Sequence, residues 1–90
     1  MADLVLPLKA EYFNAIRDGK KLEEYRERTS YWQRRLVGRT FDRVVLTLGY
    51  PPAGDVTRRL VKPWRGYKEV TIEHPHFGNR PVAVYAIDVS

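Results

Sequence analysis

The order of hydrophobic and polar residues at the start of the chain predicts a strand followed by a helix. Residues 2–8 (ADLVLPL) are mostly apolar and indicate a short strand that Pro7 ends. Apolar residues then recur at helical spacing, namely Leu8, Tyr12, Ala15 and Ile16, with Phe13 widening the stripe. Gly19 stands where a helix-ending glycine belongs, so the pattern predicts one amphipathic helix of about three turns. We expect Tyr12 and Phe13 to pack in the core.

The rest of the chain predicts a second, short helix and several strands. Residues 29–38 (TSYWQRRLVG) indicate a short helix or turn, with Thr29 or Ser30 as its cap and three residues facing inward, Tyr31, Trp32 and Leu36. Strands are predicted in FDRVVLTL (residues 41–48), in β-rich pieces that Pro63 and Gly66 break (residues 56–74), and in VAVYAIDV (residues 82–89). The last is almost continuously apolar, which is typical of a central strand.

These elements indicate a single domain over residues 1–90 that is α+β in class and mostly β. One main helix after the first strand, a second short helix and short connections favour a small β-barrel or curled sheet over a βαβ arrangement. Such a sheet can hold a cleft between the barrel and the helix. The hydrophobic fraction of 43% and the aromatic fraction of 12% exclude a disordered chain.

Composition narrows the function classes. No apolar run approaches the length that crosses a bilayer, and the N-terminus lacks the basic start and long apolar stretch of a signal peptide. There is no cysteine, which excludes disulfides and thiolate metal sites. His74 and His76 lie two apart without a clear third ligand, so we predict no metal and no other cofactor. We expect a cytoplasmic protein without a membrane partner.

Basic residues are concentrated in the middle of the chain. The sequence carries a net charge of +5, and the segment from Arg28 to Lys68 alone holds ten basic and two acidic residues. A basic middle between acidic flanks favours a polyanionic partner. The alternative is a basic surface without a specific partner, and charge alone does not decide between the two because phosphate attraction is non-specific.

The stretch GKKLEEYRER (residues 19–28) places charges of both signs directly after the predicted helix. Side chains alternate along a strand, so neither face of this one is a clean core face: Leu22, Glu24 and Arg26 would share one, and Lys21, Glu23 and Tyr25 the other. We expect Lys21 to sit at the turn before the regular strand, so that Lys21, Glu24 and Arg26 converge on one concave site.

The three converging side chains would supply two cations and one carboxylate. Glu24 could hold Lys21 and Arg26 through charge-assisted hydrogen bonds, and Arg26 would offer a planar fork to a phosphate or a base edge. A partly desolvated Lys21 could act as a base or nucleophile, with Glu24 as its candidate catalytic partner. The alternative is a set of ion pairs on an exposed edge strand.

Two tryptophans lie beside basic residues, Trp32 in YWQRR and Trp64 in KPWRGYK. Stacking combined with positive charge is how proteins hold unstacked bases. We expect Trp32 in the core and Trp64 exposed, although one core tryptophan with snorkelling arginines would give the same pattern. The predicted ligand-binding residues are therefore Lys21, Glu24, Tyr25, Arg26, Arg58, Arg59 and Trp64.

Read as G-x-K-x-x-E-x-R, the charged stretch matches Gly19, Lys21, Glu24 and Arg26 without a gap. This pattern resembles the signature of the ASCH domain family, relatives of the PUA-like RNA-binding folds. LPLKAEYFNAIRDGKK is similar to the strand and helix that precede the motif in that family, and HPHFGNRPVAVYAIDV to its terminal turn and strand. The likeness covers the first third and the last fifth of the chain well, and the middle loosely.

The resemblance implies a PUA-like β-barrel, a cleft lined by the motif residues, and binding of single-stranded RNA or nucleotides. Some bacterial relatives are small hydrolases that remove the acetyl group of acetylcytidine, and others have been described as ribonucleases. The deacetylating branch has threonine three positions after the motif lysine, where this chain has Glu24. That branch also uses a downstream glutamate, a place that Glu69 or Glu73 could fill.

Three classes of function follow from these patterns. The first is an RNA- or nucleotide-binding module with a cationic cleft. The second is a small hydrolase on the same fold that acts on a modified nucleoside or on RNA. The third is a domain that binds a protein partner through its charged surface. Glu24 in place of threonine favours the binding module, because a negative charge beside Lys21 favours its ammonium form and opposes its use as a base.

Overall fold

The computed structural model describes residues 2–73, 75, 78 and 80–90. It contains two helices, α1 (Ala10–Arg17) and α2 (Ser30–Leu36). It also contains six strands: β1 (Asp3–Leu8), β2 (Glu23–Glu27), β3 (Arg43–Leu48), β4 (Arg59–Pro63), β5 (Tyr67–Ile72) and β6 (Val82–Asp88). The prediction of a mostly β, α+β chain with one helix after the first strand and a second short one is confirmed. Neither described helix has the length and apolar character needed to cross a membrane.

The six strands form two open three-stranded sheets, in the orders β1-β3-β4 and β2-β6-β5. The strand pairs β3–β4, β2–β6 and β5–β6 are antiparallel. Within the described residues no strand joins both sheets, so the closed ring of a barrel, which the sequence favours, is not seen there. β6 is the middle strand of its sheet, as its apolar sequence predicts.

β1 and β3 form a parallel pair, in which Leu4 lies beside Val44 and Leu6 beside Leu46. Parallel neighbours need a crossover connection, and here the crossover carries α1, β2 and α2. α1 packs against β3. The sequence pattern does not predict this pair, because the choice of neighbour in a sheet depends on packing between segments far apart in the chain.

The core lies where the two sheets and the two helices meet. β1 alternates between exposed and buried residues, and buried apolar side chains come from every layer: Leu4, Leu6, Phe13, Ile16, Leu36, Val44, Leu46 and Ile87. Phe13 is a core residue, as predicted, and Tyr12 is half-buried against the core. Pro7 does not end β1, since the strand continues to Leu8. β1 is an edge strand, and an edge tolerates a residue without an N–H donor.

Two local signals set the ends of the helices that flank the charged stretch. After α1 the backbone N–H of Gly19 donates to Ile16 O at 3.1 Å and that of Lys20 to Ala15 O at 2.9 Å, with Gly19 in the left-handed region at φ 75°. This pair of bonds is a Schellman motif, and glycine adopts its conformation without strain. At the start of α2 the Thr29 hydroxyl accepts from the Trp32 N–H at 3.3 Å, which identifies Thr29 as the cap.

Candidate functional site

A cleft of about 420 Å³ opens between the end of β1, the first turn of α1, β2 and the start of α2. Small-molecule sites are commonly clefts of about this size, from roughly 300 to 1,000 Å³. Its walls carry the three charged motif side chains together with three aromatic ones: Lys21, Glu24, Arg26, Tyr12, Tyr25 and Trp32. The expected convergence of Lys21, Glu24 and Arg26 on one concave site is therefore observed. We refer to this site as the motif cleft.

Glu24 is the most deeply buried of the three charged residues, with only 4% of its surface exposed. Its Oε2 accepts a hydrogen bond of 2.6 Å from Arg26 Nη1, and its Oε1 lies 3.7 Å from Lys21 Nζ. A buried carboxylate needs such partners, because removing a charge from water is costly unless it is paired and hydrogen-bonded. The two cations therefore allow a negative charge to lie at the base of the motif cleft.

Arg26 connects the two sheets at the edge of the cleft. Its Nη2 donates to the carbonyl oxygen of Pro7 in β1 at 3.1 Å, while Nη1 is bonded to Glu24. The guanidinium carbon lies 5.3 Å from the centroid of the Trp32 ring, within the range of a cation–π contact. The fork predicted to face a ligand is thus largely engaged by protein groups, and its main effect is to hold Glu24 and Trp32 in place.

Lys21 lies in the short connection before β2, as the alternation of side chains requires. Its ammonium nitrogen is 4.3 Å from the centroid of the Tyr25 ring and 5.7 Å from that of Tyr12. Among the described residues its ion-pair partner is Glu24, at a distance too long for a good hydrogen bond. Because an ammonium group has three donors, Lys21 can still donate to a ligand in the cleft.

Tyr12 contributes an uncharged phenol to the cleft. Burial raises the pKa of Tyr12 above its ordinary value, and the nearby carboxylates of Glu11 and Glu24 raise that pKa further. Its phenol therefore keeps its proton at neutral pH. Tyr12, which we assigned to the core, both packs against the core and lines the cleft, and the same is true of Trp32.

Sequence reasoning missed several residues of the cleft wall. These residues of the wall are Tyr12, Trp32, Lys9, Glu27 and Thr29. Lys9 is the residue directly before α1 and Tyr12 lies in its first turn, a spacing that brings both to the same end of the helix. That spacing could have paired them, but the motif itself does not indicate which helix face closes over β2.

Three predicted ligand-binding residues lie outside the motif cleft. Trp64 is half-buried, not exposed as predicted, because its ring packs edge-on against Phe41 with a centroid distance of 5.0 Å. The Nε atom of Arg58 is 3.6 Å from a carboxylate oxygen of Asp55. Arg59 Nη2 donates to the Pro52 carbonyl at 3.1 Å.

Neither candidate for the downstream glutamate of the hydrolases lines the motif cleft. Glu69 in β5 pairs with Arg28 at 2.7 Å, and Glu73 is exposed. In the described part of the chain no three His, Cys, Asp or Glu side chains lie together as a metal site requires. His74 and His76 lie outside the described residues.

Comparison of the chain with protein-family models, with curated proteins and with solved structures gives no match. The ASCH resemblance therefore rests on the residues of the motif and of its flanking segments. The geometry of the motif cleft supplies the remaining basis for a function.

Proposed function

We propose that the motif cleft binds a nucleotide of single-stranded RNA and that the chain is an RNA- or nucleotide-binding domain. The observation that carries this proposal is the buried Glu24 carboxylate, held by Lys21 and Arg26 in a cleft with aromatic walls. This combination offers an acceptor, a donor and stacking surfaces within one site, and a nucleotide has groups that match all three.

Each part of a nucleotide has a counterpart in the cleft. A carboxylate oxygen has lone pairs beyond those used by its two cations, so Glu24 can accept from the exocyclic amine of cytosine. Lys21 can donate to a base carbonyl or to a phosphate. The aromatic wall residues Tyr12, Tyr25 and Trp32 offer contact to an unpaired base, and aromatic contact is the usual way that proteins recognise single-stranded RNA. The basic segment between Arg28 and Lys68 adds attraction for the backbone.

The family proposal follows from the same residues. All three charged members of the G-x-K-x-x-E-x-R pattern line the cleft, and Gly19 ends α1 as the resemblance implies. This supports an ASCH-like domain over residues 1–90 and a PUA-like arrangement of its two sheets. A sequence without cysteine and a ligand such as RNA are consistent with a cytoplasmic location.

Affinity for single-stranded RNA is expected to fall steeply as salt is added. With about two to four phosphate contacts, the slope of log K against log salt should lie between about −1.5 and −3. Fluorescence anisotropy of a labelled, unstructured oligonucleotide over a salt series measures this slope. Absence of binding at low salt, or binding that salt does not change, would contradict the proposal.

The hydrolase alternative makes a different prediction. Lys21 lies in the cleft, but its carboxylate neighbour Glu24 forms an ion pair with it, and neither Glu69 nor Glu73 lines the site as a second acid–base group. We therefore expect that the protein does not release cytidine from acetylcytidine faster than the uncatalysed rate. Chromatography of the reaction mixture measures this release. Turnover that disappears in Lys21→Arg would support the enzyme instead, because arginine keeps the charge but cannot give up its proton.

A further inference from the structure

A second groove, of about 530 Å³, continues from the motif cleft. The two cavities share Pro7 and Trp32 in their walls, so they adjoin each other on the surface. We call it the aromatic groove, and the residues that characterise it are Tyr31, Trp32, Arg35, Tyr50 and Arg59. None of these except Trp32 lines the motif cleft.

The charge of the aromatic groove differs from that of the motif cleft. Among the residues that the structure describes, no aspartate or glutamate lines the groove, whereas the cleft contains Glu24 and Glu27. In this same part of the chain neither Arg35 nor Arg59 forms an ion pair with a carboxylate. The groove therefore presents uncompensated positive charge, which favours a phosphate group.

Arg35 is fixed against the aromatic rings of the groove. Its guanidinium carbon is 5.4 Å from the ring centroids of both Tyr31 and Trp32, and its Nη1 donates to the Tyr31 hydroxyl at 3.2 Å. Its Nε is buried and has no hydrogen-bond partner among the described residues. A guanidinium held in this way keeps donors for an anion and loses little side-chain freedom when one binds.

Tyr50 presents an exposed ring on a loop that is held at both ends. The Tyr50 residue is 91% exposed, and Tyr31 in the same groove is 53% exposed. Thr47 donates its hydroxyl to the Gly49 carbonyl at 2.7 Å, and Arg59 donates to the Pro52 carbonyl on the other side. Single exposed aromatic residues are common, but two in one groove beside unpaired guanidinium groups form a stacking surface.

We propose that the aromatic groove holds the nucleotide adjacent to the one in the motif cleft, so the ligand is an RNA strand and not a free nucleotide. This inference rests on the proposed function of the cleft. The phosphate that joins the two nucleotides lies near Arg35, and the second base stacks on Tyr50, the more exposed of the two rings. An acidic peptide would satisfy the arginines but would leave the two exposed rings without a matching flat surface.

The test compares the affinity for cytidine monophosphate with the affinities for oligocytidylates of increasing length. Each added stacked base is worth roughly tenfold in affinity. The parent protein should show this gain for the first added nucleotide. Tyr50→Ala should lose most of the gain while binding cytidine monophosphate as the parent does, and Tyr50→Phe, which keeps the ring, should retain it. Titration calorimetry measures all of these affinities.

The outcomes separate this inference from the proposed function. Equal affinity for the mononucleotide and the oligonucleotides would contradict the role of the aromatic groove but not that of the motif cleft. If none of these ligands binds, both proposals are wrong. A length-dependent gain in affinity that persists in Tyr50→Ala would also contradict the proposed role of the groove. The same holds if a polyglutamate peptide competes for the site as well as an oligocytidylate does.

Discussion

Glu24→Gln is expected to lower the free energy of unfolding by about 2–3 kcal/mol. The Glu24 carboxylate is buried, and it neutralises two cations that are themselves mostly removed from water, Lys21 and Arg26. Glutamine keeps the shape of the side chain but leaves both positive charges next to each other without a counter-charge. Arg26 also bonds the Pro7 carbonyl, so the loss extends to the contact between the two sheets.

The neighbouring residue supplies a matched control for this experiment. Glu23→Gln makes the same chemical change one position earlier, where the carboxylate pairs with Lys68 at 3.1 Å on the surface. Exposed ion pairs of this kind contribute about 0–1 kcal/mol. Urea unfolding of the parent and of the two variants, followed by circular dichroism, gives the comparison. Equal losses in both variants would show that Glu24 is no more than a surface charge.

The parts of the fold that sequence predicts are those with a local cause. Gly19 ends α1 because the left-handed backbone there suits glycine, and that requirement is visible in the sequence itself. β6 is the middle strand of its sheet, and its sequence predicts this because a strand that is covered on both faces is apolar along most of its length. The motif cleft also has a local cause, since a helix end, a short connection and strand alternation within eight positions place Lys21 near Glu24 and Arg26.

The orientation of α2 shows how a mistake in reading the helical spacing leads to a wrong prediction of which side chains are buried. Trp32 and Leu36 are four residues apart and share a helix face, whereas Tyr31 and Leu36 are five apart and do not. Tyr31 is accordingly 53% exposed, although we predicted that it faces inward. The same exposure gives the aromatic groove one of its rings, so a closer application of the spacing would have indicated a surface aromatic residue there.

Other features depend on contacts between distant segments and could not be predicted. Trp64 is covered by Phe41, which lies more than twenty positions earlier, just before β3. The prediction that Arg58 and Arg59 bind the ligand rests on their positive charge, and charge does not show which surface a residue lies on. The parallel pairing of β1 with β3 places Pro7 beside both the cleft and the groove, and no local pattern indicates that pairing.

Lys21→Glu is expected to reduce affinity for oligocytidylate by about a hundredfold, equivalent to about 3 kcal/mol. The substitution removes the donor that faces the ligand and puts a second carboxylate beside Glu24, in a cleft that must receive a phosphodiester. The substitution also removes the contact of the Lys21 ammonium with the rings of Tyr12 and Tyr25, which form part of the wall of the motif cleft. Titration calorimetry at low salt measures the change.

Lys20→Glu is the matched control, because it changes the net charge by the same amount at the adjacent position. Lys20 is exposed and does not line the motif cleft, so only its long-range attraction is lost, and affinity should fall by less than about tenfold at low salt. A neutral variant, Lys21→Met, separates the missing donor from the added charge and should bind between the parent and Lys21→Glu. Equal affinities of Lys20→Glu and Lys21→Glu would show that the affinity for RNA depends only on the overall charge of the domain. Such a result would remove the motif cleft as the binding site, because a specific site requires position 21 to matter more than position 20.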